Sequence, residues 1–289
     1  MSPAPASTRA PARRRSPKGS SAAAADASHN YRQRQLERSR FGIVYDIEGP
    51  RVRLGVAWFL ACVVALFIGI VPFAMLVAGV AALAAAQTAQ ALTARWRRPD
   101  RAAAAAVAGL LPLAAAVGTG LAGAVLLASS IVVAVHANAV RVKGSDPLVN
   151  AGAVMRSALL VGLAAASTVM LYRVDIGAAV CLVLLVSAYE FGDFLVGSGA
   201  SNPVEGPASG MLAVAVLTGA LAVVGPPPFE GASLLLFGVI VLVSAPIGQV
   251  VASVILPRAG APARALRRLD SYLVAAPVWL VLMWAGLQG

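Results

Sequence analysis

Glu190 and Asp193 stand three residues apart in Tyr189-Glu190-Phe191-Gly192-Asp193, so a helix there carries both carboxylates on one face. Two acids so placed could hold a divalent cation or raise each other's pKa. A helix end reaching the headgroup region, where acids are tolerated, accounts for them as well. A second set lies in Arg267-Arg268-Leu269-Asp270-Ser271, which closes a segment holding four arginines, Arg258, Arg264, Arg267 and Arg268. Arginine takes a phosphate through two parallel N–H donors, so this segment could bind a phosphate-bearing headgroup. A topology signal would explain the arginines equally but leaves Asp270 unexplained. Glu205 is the only charge in the turn-rich stretch 197–207. His136 and Asn138 are a weaker signal, because an isolated histidine there more often bonds a neighbouring helix than performs chemistry. Cys62 and Cys181 lie inside apolar runs without CxxC spacing, which indicates neither a metal site nor a disulfide framework. No Gly-rich phosphate loop sits between a strand and a helix.

The elements that must position these residues are membrane spans. The mean hydropathy is +0.82, and the 289 residues are 59% hydrophobic and only 12% charged. A soluble chain carries about a quarter charged residues. Residues 1–40 are rich in Ala, Pro, Ser and Arg, cannot bury a core, and read as a disordered basic tail. Residues 41–53 form a juxtamembrane segment. Residues 54–150 hold two apolar hairpins, with reversals expected at Gly69-Ile70-Val71-Pro72 and Gly118-Thr119-Gly120 and a basic loop at 95–101 between them. Residues 151–289 supply further spans at about 153–171, 176–196, 209–226, 231–256 and 271–287. The expected fold is an all-α integral membrane protein of about nine transmembrane helices.

Charge fixes the orientation. With the N-terminus cytoplasmic, 22 of the 23 Lys and Arg fall on the cytoplasmic side, and Arg173 alone falls outside. Losing or adding one span would move several cations to the wrong face. The net charge of +11 therefore reflects a multi-pass protein of the cell membrane, not nucleic-acid binding. The basic tail can attract anionic headgroups at about 1 kcal/mol per cation held near the surface.

Within this frame the last hundred residues resemble the phosphatidate cytidylyltransferase (CDP-diacylglycerol synthase) family. Arg267-Arg268-Leu269-Asp270-Ser271 falls on that family's D-R-I-D-S, and Ala275-Ala276-Pro277-Val278 continues into its final helix. Gly248-Gln249-Val250-Val251-Ala252-Ser253 falls on its G-D-L-x-E-S. Glu190 to Gly197 loosely matches an Asp-x-Gly-x-Tyr-x-x-Gly segment, and Glu205-Gly206 survive from a W-E-G. The resemblance implies a cytoplasm-facing cavity, Mg2+, CTP and phosphatidic acid as substrates, CDP-diacylglycerol as product, and a homodimer. It also places Ser253 beside Arg258, Arg267 and Arg268 as headgroup-binding candidates, and Glu190, Asp193, Glu205 and Asp270 as metal candidates.

The departures bear on activity. Gln249 and Ala252 stand where the family has acids, Arg267 replaces its first Asp, and Ser201 and Asn202 replace two lysines. Leu256-Pro257-Arg258 replaces a basic pair, and the following loop is shorter by roughly a dozen residues. The expected function is therefore a catalytically impaired relative that binds an anionic lipid or nucleotide headgroup. One alternative is an active, divergent CTP-dependent enzyme with Glu190, Asp193 and Asp270 rebuilding a metal site. A small transporter is the other, and it would need polar residues deep in several spans.

Overall fold

A computed structural model describes residues 51–140, 143–200, 202–229 and 232–288. The tail at 1–40, most of the juxtamembrane segment, and Arg141 lie outside these residues. Among the described residues the chain forms nine α-helices and no strand. They are α1 (Arg51–Ile68), α2 (Ile70–Ala91), α3 (Arg101–Val117), α4 (Thr119–Ala139), α5 (Pro147–Val174), α6 (Ile176–Gly197), α7 (Glu205–Val224), α8 (Ser233–Ile255) and α9 (Tyr272–Gln288). A 3₁₀ turn at Leu266–Arg268 precedes α9.

Six of them, α2 and α4 to α8, are long and apolar enough to cross a membrane. Shorter apolar stretches lie at Gly55–Ile68, Arg101–Val117 and Tyr272–Gly286. The surface agrees with a lipid solvent. Phe67, Met75, Leu127, Ile131, Val216 and Val281 all point outward, whereas the interior is built largely from alanine. Ala81, Ala84, Ala85, Ala104, Ala108, Ala115 and Ala158 are wholly buried. Small side chains let helices approach closely where lipid supplies no hydrophobic drive. Gly162 shows how closely: a Cβ there would meet Leu111 Cδ1 at 2.7 Å and Ala108 Cα at 3.1 Å across the α3–α5 seam. α5 is the central helix, packing against α2, α3, α4 and α9.

Local chemistry explains the element ends. The turn expected at 69–72 contracts to Gly69 alone, whose φ of 147° favours glycine. Asp100, Asp146 and Asp175 each cap the following helix by accepting its first free N–H groups. α5 begins six residues before the expected boundary, because Asp146 caps it and Pro147 suits its first position. α7 likewise begins at Glu205, within a stretch read from sequence as loop, since its first turn tolerates Pro207.

Candidate functional site

The ends of α6 and α8 and the turn before α9 bring together most of the chemistry-bearing side chains. Tyr189 and Asp193 lie one helical turn apart on α6, both buried. The Tyr189 hydroxyl donates to Gln249 Oε1 at 3.0 Å, and Gln249 Nε2 donates to Asp193 Oδ2 at 2.7 Å. Gln249 thus spans the gap between two α6 side chains. One turn later on α8, Ser253 Oγ donates to the Gln249 carbonyl at 3.1 Å.

Arg267 fastens the loop after α8 onto this pair. Its guanidinium donates to Ser253 Oγ at 3.1 Å, to the Gln249 carbonyl at 3.4 Å and to the Ala259 carbonyl at 2.8 Å. It also lies 3.7 Å from Asp270 Oδ2. Asp270 Oδ1 accepts from the Ser271 backbone N–H at 2.8 Å. Burial pushes the Asp270 carboxyl up to about 6, with Arg267 and the Ser271 N–H pulling back. The loop can sit this close because residue 248 is glycine, where a Cβ would collide with the Asp270 carbonyl.

Glu190 follows Tyr189 on α6. Asp270, Arg268 and Asp193 are its charged neighbours. Its Oε1 is buried and has no hydrogen-bond partner among the described residues. Six sequence candidates, Glu190, Asp193, Ser253, Arg267, Arg268 and Asp270, therefore share one cluster. Arg258 is exposed on the loop surface, and Glu205 is exposed at the start of α7 with no described bond to the cluster. Sequence reasoning missed Tyr189, Ser271 and the central part played by Gln249. The i, i+4 spacings of Tyr189 with Asp193, and of Gln249 with Ser253, were the available signal.

A magnesium ion does not fit the Asp193 and Asp270 carboxyl groups. It demands near-octahedral oxygen ligation with carboxylate contributions. Asp193 Oδ2 is taken by Gln249 and Asp270 by Arg267 and Ser271. Among the described residues no group of three or more His, Cys, Asp or Glu could hold a metal ion.

A second polar place lies where α3, α4 and α5 end together. His136 Nε2 and Asp100 Oδ2 are 2.9 Å apart, so the histidine bonds a neighbouring helix cap, as its isolation suggested. That bond, with the Ala102 and Ala103 N–H groups, holds the Asp100 carboxyl below its ordinary range against the opposing effect of burial. Asn150 Oδ1 accepts from the Arg98 backbone N–H at 2.7 Å, and Asn150 Nδ2 donates to Ser145 Oγ at 3.0 Å. Between these groups is a cavity of about 180 Å³.

No protein-family model, curated protein or solved structure matches the chain.

Proposed function

We propose that this chain is a phosphatidate cytidylyltransferase-like protein that crosses the membrane nine times from a cytoplasmic N-terminus and binds an anionic headgroup without turning it over. The topology rests on the one-sided cations and on α1, α3 and α9 completing the set begun by the six longer helices. At about 1.5 Å per residue, even the 17 residues of α3 extend roughly 26 Å.

One observation carries the loss of catalysis. Arg267 occupies the position of a family acid and spends its donors on Ser253, two carbonyls and Asp270. Nucleotidyl transfer would need hard oxygen ligands there to neutralise the phosphates through metal. An arginine held by four acceptors braces the loop instead. Arg258 on the loop surface and half-buried Arg268 are then the cations placed to meet a phosphate from the cytoplasmic side.

The test is binding of phosphatidic acid against phosphatidylcholine by the full-length protein in nanodiscs. Preference for phosphatidic acid that weakens in Arg258→Gln with Arg268→Gln supports the reading. Equal binding of both lipids, or no effect of the two changes, overturns it. The unpartnered Glu190 Oε1 favours a second reading, a divergent enzyme with a cation at Glu190. Metal-dependent turnover that survives both Glu190→Ala and Asp270→Ala would eliminate that site.

A further inference from the structure

We infer that the cavity between the ends of α3, α4 and α5 is a separate site for the phosphodiester headgroup of an anionic membrane lipid, with Arg98 as its cationic contact. The cavity is two-faced. Arg98, Asp100, His136 and Asn150 stand on its polar side, and Val133 and Val154 line its apolar side. It lies at the ends of apolar helices, the depth at which a lipid changes from chain to headgroup. α4, which supplies one wall, is the least buried of the long helices and turns Leu127, Ile131, Val132 and Val135 outward. A lipid seated by its phosphate in the cavity can therefore lay its chains along α4.

The loop from 92 to 100 is built to present Arg98. Arg97 is committed elsewhere, since its Nε donates to the Leu92 carbonyl at 2.7 Å and its guanidinium lies 5.1 Å from the centre of the Trp96 ring. Trp96 is 58% exposed, as suits an indole at the membrane–water interface. The Asn150 side chain pins the Arg98 backbone, and among the described residues no acid pairs with the exposed Arg98 guanidinium. Asp100 is the opposing charge at the cavity, and its oxygens are turned to other groups. Its Oδ1 is turned to the Ala102 and Ala103 N–H groups and its Oδ2 to His136. Arg95, Arg101 and Lys143, all exposed, add positive charge to the same end of the bundle.

Native mass spectrometry of the full-length protein in detergent, titrated with phosphatidylglycerol and with phosphatidylcholine, tests the site. Arg98→Gln should weaken phosphatidylglycerol binding about fivefold, the worth of one interfacial cation. Ala137→Phe, which fills the cavity without altering a charge, should weaken it as well. Arg258→Gln with Arg268→Gln should leave it unchanged, which separates this site from the one at the end of α8. Equal binding of phosphatidylcholine, or undiminished binding by Arg98→Gln, would overturn the inference. Displacement of the lipid by equimolar inorganic phosphate would overturn its assignment to a lipid.

Discussion

The Gln249 side-chain amide donates to the Asp193 carboxyl group across 2.7 Å, tying α8 to α6 near the C-terminal ends of both helices. The bond gives a buried acid a neutral partner. It also orients the amide so that its oxygen receives the Tyr189 hydroxyl.

Gln249→Leu removes a donor from a buried carboxylate and an acceptor from a buried phenol. Losing these two buried bonds should cost about 2–3 kcal/mol. Gln249→Glu should cost more, because it removes the amide donor and sets a second acid against Asp193. Unfolding by SDS titration in mixed micelles measures both, and unchanged stability in Gln249→Leu would contradict the assigned bond.

Gly248→Ala should destabilise the protein, because its Cβ meets the Asp270 carbonyl and must push the loop off α8. Gly219→Ala is the control, with nothing within 4 Å of the added carbon. It should be neutral or slightly stabilising, since alanine is the better helix former. Equal behaviour of the two variants in thermal unfolding would contradict the close approach.

Asp270 and Asp100 should give opposite pH dependences. The Asp270 carboxyl lies at about 6 in the fold, above its ordinary 3.8, so ionising it works against the folded state. Its contribution is fully present below 3.8 and is lost as pH rises through about 6. Asp270→Asn should flatten that slope, and Arg267→Met should move the carboxyl band in infrared titration to still higher pH. The Asp100 carboxyl is depressed, chiefly by His136, so its contribution is present at neutral pH and lost on acidification. Asp100→Ala should remove that acid-side loss and, as the deletion of an N-cap, cost about 1 kcal/mol.

The topology has its own reporter. Cys62 and Cys181 are buried and free, so single added cysteines can be read above a quiet background. In intact cells a membrane-impermeant maleimide should label Val224→Cys, which the proposed topology puts at the outer end of α7, and spare Lys143→Cys. Labelling of Lys143→Cys would contradict a cytoplasmic N-terminus.

The helices were legible because apolar runs long enough to cross a bilayer, one after another, have almost no place in a soluble chain. Their starts were less so. Pro147 and Pro207 read as loop residues, yet both sit in first turns, where a missing N–H costs nothing. The acids were legible too, since Glu190 and Asp193 stand out in so apolar a segment. Gln249 was not. Set against a family pattern it marks a lost acid, and only the register of α8 against α6 reveals it as the residue that Asp193 and Tyr189 share. Nothing in a single sequence gives that register, nor the fold of the loop that carries Arg267 back to Ser253.

The most direct measurement is CTP-dependent turnover of phosphatidic acid by the full-length protein in nanodiscs with Mg2+, beside lipid binding in the same preparation. The account predicts phosphatidic acid bound and no CDP-diacylglycerol formed above a heat-inactivated control. Metal-dependent formation of CDP-diacylglycerol, abolished by Asp270→Ala or Glu190→Ala, would contradict it.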